Sequence, residues 1–368
     1  MNNQDSFYMN LALQLAWLKK GTTSPNPTVG AVVVKNNQIL STGITQPPGG
    51  FHAEREALNK LSLSESEGAA LFVTLEPCSH FGKTPPCTEI IIEKKIKRVV
   101  IAALDPNPLV SGKGLVILKK AGIEVEVGLL GKKAKEINED FFHWIQKQIP
   151  LVTLKYASTL DGKMALENGN SKWITNERSR KITHILRYRS DAIMVGFNTV
   201  RMDNPLLNAR LYQREKNLLR VIIDPEGKTP VDSQIASDNL SALFVVKKQL
   251  VSQSFVQVIS NRPEKEIYYD CEEGFEINLS NLLKYLGKEK KITSLFVEGG
   301  SGVLGSFLKQ GIGDRVFVFL ANKFVGQGLS PFSGFRVNEV KDGIEIDDIK
   351  IKKLKNNILI YGNLNWKT

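Results

Sequence analysis

One histidine and two cysteines lie close together in a chain that has few of either residue. Among 368 residues there are only four histidines and three cysteines, and His52, Cys78 and Cys87 fall in one short segment. A neutral imidazole and two thiolates are typical zinc ligands, and three protein ligands leave the fourth position of a tetrahedral zinc open to water. The segment therefore predicts a catalytic zinc site around which the chain must fold.

Glu54 lies two residues after the histidine and is predicted to face the same cavity. Residues two apart point to different sides of a regular helix, so His52 and Glu54 can share a cavity only where a helix begins. The preceding loop, QPPGGF, predicts such a start. Bound zinc lowers the pKa of water from 15.7 to about 7, and we expect Glu54 to carry protons between that water and a leaving group. Cys78 follows a predicted strand on a loop that enters a helix, where the helix dipole favours a thiolate.

The order of these residues, H-x-E followed by P-C-x-x-C, is typical of zinc deaminases, in which the glutamate shuttles protons and is not a ligand. This chain departs from the pattern because eight residues, SHFGKTPP, separate its two cysteines. The alternatives are a structural zinc or two buried thiols without metal. A structural zinc normally has a fourth protein ligand, for which His80 and His143 are the nearby candidates, although His80 can instead line the pocket. Other divalent ions also tolerate nitrogen and sulfur ligands.

The N-terminal half alternates strand and helix patterns. Residues 6–19 predict a helix, because apolar residues recur on one face and Asp5 or Ser6 can cap it. Further strands are predicted at 28–34, 39–43, 69–74, 98–103 and 123–127, and further helices at 53–61, 88–96, 113–121 and 132–147. The alternation predicts a layered α/β domain with a largely buried sheet, which ends near Pro150.

The second half begins the alternation again. A strand pattern, LVTLKYAST, runs into the turn Asp161-Gly162, and a helix follows from Asn176. Short strands are predicted at 192–195, 219–224, 242–246 and 294–297, before a glycine-rich turn and helix at 299–310. The fold class is therefore α/β in both halves, with predicted domains at residues 1–149 and 150–368.

Charge and composition exclude several classes of protein. The net charge of +11 is distributed over interleaved basic and acidic residues, as in KEINED, which favours a solvated basic surface over a nucleic-acid interface. A weaker alternative is attraction of a phosphate-bearing ligand. No apolar run approaches the roughly 18 residues that span a bilayer. The first residues, MNNQDSFYMN, do not resemble a signal peptide, and the few cysteines do not suggest a disulfide framework. We therefore expect a cytoplasmic protein that does not bind membranes.

Five segments carry a resemblance to a known family. They are TSPNPTVGAVVV, EPCSHFGKTPPC, DPNPLVSGKG, KYASTLDGKMA and SKWITN. Together they resemble the bifunctional riboflavin biosynthesis proteins, which join a diaminohydroxyphosphoribosylaminopyrimidine deaminase to a 5-amino-6-(5-phosphoribosylamino)uracil reductase. The resemblance covers essentially the whole chain, and the spacing of the cysteines separates this family from tRNA, cytidine and guanine deaminases.

The resemblance implies a cytidine-deaminase-like α/β/α domain followed by a dihydrofolate-reductase-like α/β domain, with zinc and NADPH as cofactors. The substrate would be 2,5-diamino-6-(5-phosphoribosylamino)pyrimidin-4-one and the product 5-amino-6-(5-phosphoribitylamino)uracil. His52, Cys78 and Cys87 would hold zinc, and Glu54 would return its proton to the departing ammonia. Asn26 would read the pyrimidine edge, with a turn residue before Pro27 as the alternative. The family also suggests a homo-oligomer formed through the reductase domains.

A glycine-rich turn is the main signal in the second half. The strand SLFVE leads into glycines at 299, 300, 302 and 305 that precede a helix, where backbone N–H groups can approach a phosphate. Residues 300–305 match G-x-G-x-x-G, but the acid expected about 20 residues later in a Rossmann fold is absent and Lys323 lies there. We therefore predict a phosphate cradle outside a Rossmann fold, with a plain tight turn as the alternative.

The resemblance implies that this cradle holds the NADPH diphosphate. It assigns cofactor contacts to Ser158, Trp173, Thr199, Asp203, Gly300, Ser301, Gly302, Val303, Leu304, Gly305 and Ser306. It assigns substrate contacts to Ser171, Arg187, Leu207, Arg210 and Glu298. The two arginines can fork onto the ribose 5-phosphate, although either could be a surface residue, and Trp173 could belong to the core or an interface. Pro225 replaces a serine that relatives often carry, which weakens one expected cofactor contact.

The implied second reaction is hydride transfer from NADPH to C1 of the opened ribosyl group, in its imine form. Lys155 and Asp161 are candidates for protonation or polarisation, with a structural ion pair and a turn role as equal alternatives. Cys271 has no ligand partners in the sequence and is expected to be an ordinary thiol. The main rival function, an RNA-editing deaminase with an RNA-binding domain, is disfavoured by the cysteine spacing and by the lack of a recognisable RNA module.

Overall fold

The computed structural model describes residues 3–81, 85–107, 110–211 and 214–366. The chain forms two compact units, Met1–Gln148 and Ile149–Thr368. No helix in the described ranges is both long and apolar enough to cross a bilayer.

Unit 1 is a five-stranded sheet with helices packed against it. Its helices are α1 (Asn3–Leu18), α2 (Ala53–Leu58), α3 (Leu63–Ser66), α4 (Cys87–Glu93), α5 (Lys113–Lys120), α6 (Gly131–Ile137) and α7 (Glu139–Lys147). Its strands are β1 (Gly30–Lys35), β2 (Gln38–Ile44), β3 (Ala70–Val73), β4 (Arg98–Ile101) and β5 (Glu124–Val127). The strand order is β2-β1-β3-β4-β5; β1 is antiparallel to β2 and β3, and β3, β4 and β5 run parallel. The central strands are almost entirely buried, as their β-branched sequences predict.

Two glycines allow helices of unit 1 to lie very close to the sheet. A Cβ added at Gly30 would lie 2.0 Å from the Ala12 carbonyl oxygen of α1. A Cβ at Gly43 would lie 2.0 Å from the Ala53 carbonyl oxygen, at the start of α2. Since no larger residue fits at Gly43, this glycine fixes the height of the N-terminus of α2 above β2, where the predicted zinc residues begin.

The single helix predicted at 132–147 is wrong, because the chain breaks it into α6 and α7 at Asn138. The Asn138 side chain accepts a hydrogen bond from the Thr28 N–H at 2.8 Å and donates one to the Thr28 carbonyl at 2.9 Å. Asparagine competes with helical hydrogen bonding in this way, so a tertiary contact overrides the amphipathic pattern.

Unit 2 is a nine-stranded sheet covered by helices. Its helices are α8 (Glu177–Tyr188), α9 (Phe197–Asp203), α10 (Gln234–Ser237), α11 (Gln253–Ser260), α12 (Leu279–Lys288) and α13 (Ser301–Lys309), with a 3-10 turn at Val340–Asp342. Its strands are β6 (Leu151–Ser158), β7 (Ala192–Gly196), β8 (Ala209–Leu211), β9 (Arg214–Lys216), β10 (Leu219–Ile223), β11 (Ala242–Lys247), β12 (Lys265–Asp270), β13 (Ser294–Val297), β14 (Arg315–Ala321), β15 (Glu345–Leu354) and β16 (Asn357–Asn365). The order of the large sheet is β12-β11-β10-β7-β13-β6-β14-β16-β15, and β8 pairs with β9 separately.

The strands of the large sheet of unit 2 are parallel except at one edge, where β16 is antiparallel to β14 and β15. Strands β6, β7 and β13 are neighbours and run parallel, so their carboxyl ends meet at one edge of the sheet. Ligands of open α/β sheets bind at that edge. No element after residue 310 is predicted from the sequence. Strand β15, with its sequence EIDDIKIKKL, is mostly exposed and so lacks the buried face that marks a strand.

Candidate active sites

Three side chains of unit 1 meet at one point. The His52 Nδ1 atom lies 3.5 Å from the Cys78 sulfur and 3.5 Å from the Cys87 sulfur, and the three ligand atoms lie within 4.8 Å of one another. A tetrahedral zinc with usual bond lengths, about 2.0 Å to nitrogen and 2.3 Å to sulfur, implies a nitrogen-to-sulfur distance of about 3.6 Å. The side chains therefore fit a zinc ion, and neither His80 nor His143 belongs to the cluster.

Local structure explains why these residues converge. His52 is the N-cap of α2 and Cys87 is the first residue of α4, so both lie at helix starts. Cys78 lies on the loop between β3 and α4, and its sulfur accepts a hydrogen bond from the Cys87 N–H at 3.3 Å. A helix N-terminus stabilises negative charge, which suits a thiolate ligand. The hydrogen bond from the Cys87 thiol also lowers the pKa of Cys78.

Glu54 lies beside the three ligands and is almost fully buried, at 3% exposure, in the first turn of α2. Burial and then the neighbouring charge of Cys78 raise the pKa of its carboxyl to about 7. A carboxyl with that pKa exchanges protons readily at neutral pH. This is the arrangement expected of a proton carrier rather than a fourth ligand.

Two residues that the sequence analysis missed support the site. Glu76 is buried and accepts hydrogen bonds from the N–H groups of Asp105, Gly112 and Gly114 at 3.2, 3.0 and 3.0 Å. It therefore ties the loop after β4 to the segment that carries Cys78. Its position two residues before that cysteine was the available signal.

Arg55 is the second supporting residue. Its guanidinium donates to the carbonyls of Pro85 and Pro86 at 3.5 and 3.3 Å, immediately before Cys87.

Asn26, expected to read the pyrimidine edge, lies in a turn: its N–H donates to the Thr23 carbonyl. Within the described part of the chain its carboxamide has no hydrogen-bond partner, so the side chain is available to a ligand.

In unit 2, Glu298 follows β13 and binds two cations. Arg187 donates to both carboxylate oxygens, and the Lys155 Nζ atom lies 3.4 Å from one of them. Burial alone would raise the pKa of Glu298, but the charges of Arg187 and Lys155 outweigh it and lower the pKa to about 2. The three residues form a largely buried ion cluster near the carboxyl ends of the parallel strands.

The segment 207–210 lies next to this ion cluster. Leu207 is buried with a positive φ of 51°, and the Asn208 carbonyl accepts a hydrogen bond from Arg187 at 3.2 Å. Arg210 is exposed and lies on β8, against which α8 packs. Any contact of Leu207 with a ligand must therefore use its backbone, because its side chain belongs to the core.

Asp161, one of two candidates for the reductase acid, has a structural role. Its carboxylate accepts hydrogen bonds from the N–H groups of Val325 and Gly326 at 3.0 and 2.7 Å. A hydrogen bond from Thr159 lowers the pKa of Asp161 to about 2. The carboxylate is therefore ionised at neutral pH and has no proton to donate.

The residues expected to contact the cofactor fall into two groups. Trp173 lines one cavity together with Ser171, which is an expected substrate contact, and Trp173 is 66% exposed with the Arg180 guanidinium 4.4 Å above its ring. Asp203, at the end of α9, forms an ion pair with Lys172 at 3.2 Å. Lys172 lines the same cavity.

The second group surrounds the glycine-rich turn. Gly300 is the N-cap of the nine-residue helix α13, and a Cβ there would lie 3.6 Å from the Thr199 hydroxyl. A Cβ at Gly302 would meet nothing within 4 Å. The first-turn N–H groups of a helix have no partners inside it, so they can bind an anion. Ser158, at the end of β6, is buried.

The later residues of the turn are already engaged in the helix. The Leu304 N–H donates to the Gly300 carbonyl, and the Leu304 side chain is fully buried. A Cβ at Gly305 would lie 1.9 Å from the Ser333 carbonyl oxygen, so this glycine serves close packing. The open cradle is thus the first turn, and Ser306 lies beyond it.

Comparison with known families matches both units. The RibD C-terminal domain matches residues 150–360, and the cytidine and deoxycytidylate deaminase zinc-binding region matches residues 2–103. The chain is 45% identical over 357 residues to the riboflavin biosynthesis protein RibD of Aquifex aeolicus, covering 97% of this chain and 98% of the relative. It is 35% identical over 338 residues to RibD of Escherichia coli, covering 88% and 89%.

Solved structures give the same result. RibD of Acinetobacter baumannii superposes with a TM-score of 0.89 at 32% identity, covering 98% of this chain and 99% of that one. A diaminohydroxyphosphoribosylaminopyrimidine deaminase/5-amino-6-(5-phosphoribosylamino)uracil reductase of Thermotoga maritima superposes with a TM-score of 0.85 at 37% identity, with the same coverage.

Proposed function

The chain belongs to the RibD family, bifunctional deaminases and reductases of riboflavin biosynthesis, and from this premise we propose which of its residues carry each reaction. The family uses zinc in the deaminase half and NADPH in the reductase half. The deaminase domain is assigned to residues 1–149 and the reductase domain to residues 150–368. The substrate is 2,5-diamino-6-(5-phosphoribosylamino)pyrimidin-4-one.

The distances among His52, Cys78 and Cys87 are the single observation on which the deaminase assignment rests. Zinc, when bound there, supplies a Lewis acid that makes water nucleophilic at neutral pH. Glu54 accepts a proton from the attacking water on a carboxylate oxygen and returns it to the exocyclic nitrogen of the pyrimidine. Ammonia then leaves and a ring carbonyl remains, so the step consumes one water and releases one ammonia.

The reductase assignment rests on the ion cluster and the open turn at the carboxyl ends of the strands. NADPH, when bound, supplies the hydride for C1 of the opened ribosyl group. The first turn of α13, at Gly300, Ser301, Gly302 and Val303, holds the cofactor diphosphate. Ser158, Trp173, Thr199 and Asp203 would contact the rest of the cofactor.

Substrate contacts fall to Ser171, Arg187, Leu207, Arg210 and Glu298. Arg187 and Arg210 bind the ribose 5-phosphate. Lys155, held by Glu298, polarises or protonates the reacting group, because Asp161 is ionised and engaged in a turn.

Two broader assignments follow from the chemistry of the chain. Cys78 and Cys87 are free cysteines although they lie side by side, as is typical of proteins in a reducing compartment, which supports a cytoplasmic location. Strand β15 is an edge strand with exposed Ile349 and Ile351, which supports self-association through the reductase unit. Light scattering would test this, since a monomer at assay concentration would contradict it.

The experiment that tests both activities is NADPH consumption by the purified protein supplied with the diaminopyrimidine ribosyl phosphate. Wild type is expected to release ammonia and consume NADPH. The Glu54→Ala variant is expected to consume NADPH only when given the deaminated substrate. Ammonia release without NADPH consumption would contradict the reductase assignment, and NADPH consumption by the variant on the original substrate would contradict the role of Glu54.

A further inference from the structure

His184 is a neighbour of Arg187 and Arg210, the residues proposed to bind the substrate phosphate. It is half-buried on α8, three positions before Arg187, so the two side chains share one face of the helix. That face packs against β8, which carries Arg210. His184 therefore lies against the strand that carries Arg210 and one helical turn from Arg187.

A hydrogen bond fixes the imidazole in this position. The Arg210 backbone N–H donates to the His184 Nδ1 atom at 3.3 Å. A neutral imidazole that accepts at Nδ1 carries its proton on Nε2. In the described residues Nε2–H has no protein acceptor, so the ring presents a donor on the side opposite Arg210's backbone.

The charges around the ring favour an anion. Burial, Arg187 and Arg210 lower the pKa of His184, and Glu298 alone of the neighbouring groups raises it. The ring is therefore neutral at neutral pH. A dianionic phosphate placed between the two guanidiniums would be compatible with a neutral N–H donor beside them.

A second buried group points to a ligand in the same place. The Asn208 side-chain oxygen is buried and has no hydrogen-bond partner among the described residues, while the Asn208 carbonyl holds Arg187. Buried acceptors are rarely left unsatisfied in folded proteins. A sugar hydroxyl next to the phosphate would satisfy it.

We propose that His184 is a substrate-binding residue of the reductase, whose Nε2–H donates a hydrogen bond to the 5-phosphate of the substrate beside Arg187 and Arg210. The assignment rests on the proposed function, because it takes the phosphate to lie between these arginines. It adds a phosphate contact that is neutral and therefore sensitive to hydrogen-bond geometry rather than to charge.

The test compares kcat/KM for NADPH-dependent reduction of two substrates, the deaminated ribosyl phosphate and its dephosphorylated form, in the full-length protein. A hydrogen bond to a charged group changes binding by about tenfold or more. His184→Ala is expected to lower kcat/KM about tenfold for the phosphorylated substrate and to leave the dephosphorylated one unchanged. His184→Gln is expected to restore most of the loss, because its amide can accept from Arg210 and donate to phosphate.

Controls separate this inference from the proposed function. Lys181→Ala, an exposed residue on the same helix, is expected to behave as wild type. Failure of wild type to prefer the phosphorylated substrate, or no effect of Arg210→Ala on that preference, would overturn the phosphate assignment and with it the proposal. Where both hold, an unchanged preference in His184→Ala, or an equal loss on both substrates, would overturn the role of His184 alone.

Discussion

The two candidate sites are built in different ways. In unit 1 three ligand atoms lie within 4.8 Å of one another and the proton carrier beside them is buried. In unit 2 the assigned residues are spread over strand ends, a helix start and an exposed loop, and Trp173 is 66% exposed. A metal demands a few side chains at fixed distances, whereas a dinucleotide and a sugar phosphate are held by many weak contacts. Removal of a single ligand atom should therefore disable the first site, whereas the second should be disabled only by a change in charge or packing.

Replacing Glu54 is expected to have the largest effect on either site. Glu54→Gln removes the proton carrier but keeps the side-chain shape, and general acid–base catalysis is worth about 10²–10⁴-fold in rate. We expect deamination to fall by about 10³-fold or more, with zinc content and reduction of the deaminated substrate unchanged. Ammonia release and metal analysis measure this, with Glu56→Gln on the same helix as the control. A deamination rate within tenfold of wild type would contradict the role of Glu54 as the proton carrier.

Removing Glu298 is the next largest perturbation, and it acts on stability. Glu298→Ala leaves the cations of Arg187 and Lys155 half-buried without their partner, which costs about 3 kcal/mol by analogy with broken buried pairs. Denaturant unfolding of the reductase unit is expected to shift by that amount. The control is Glu266→Ala, which breaks the more exposed pair with Lys290 and is expected to cost less than about 1 kcal/mol. Equal costs would show that the cluster contributes no more than a surface ion pair.

The open turn at α13 offers a test of charge alone. Gly302→Ala is expected to fold as wild type, because a Cβ there meets no protein atom within 4 Å, and it measures the effect of side-chain bulk without charge. Gly302→Asp places a negative charge where the cofactor diphosphate is proposed to lie, and we expect the KM for NADPH to rise about tenfold, the equivalent of about 1.4 kcal/mol. Steady-state kinetics at fixed substrate measure both variants. An equal KM in the two variants would move the diphosphate away from this turn.

The last expected effect, on the pH dependence of stability, is confined to acid pH. The pKa of Glu298 is lowered from 4.5 to about 2, so its ion pairs stabilise the folded state above pH 4.5 and are lost as the pH falls toward 2. The stability difference between wild type and Glu298→Gln should therefore be largest above pH 4.5 and shrink below it. Thermal unfolding across that range measures the difference, and one that stays constant would contradict the ionised cluster.

Local features of the fold and of the two sites could be predicted from the sequence, whereas long-range contacts could not. The α/β fold class and the family are confirmed, because strand and helix alternation and the cysteine segment are local features. The break at Asn138 could not be predicted, since it depends on a contact with Thr28, which is remote in sequence. The ion pair between Lys155 and Glu298 could not be predicted either, because these two residues are also remote in sequence.

Residues that support a site were the hardest to find. Glu76 and His184 each act through backbone groups of a distant segment, and only the proximity of Glu76 to Cys78 in the sequence indicated either role. Asp161 stood in the sequence as an acid or a turn residue, and only the positions of Val325 and Gly326 decide for the turn.

Zinc content and both activities of Cys87→Ser and Cys271→Ser are the direct test of the zinc ligand set. Cys271 is exposed and outside the cluster, so its variant is the matched control. Cys87→Ser is expected to lose most of its zinc and its deamination while still reducing the deaminated substrate, and Cys271→Ser to retain all three properties. Full zinc occupancy in Cys87→Ser would contradict the ligand set and the deaminase assignment that rests on it.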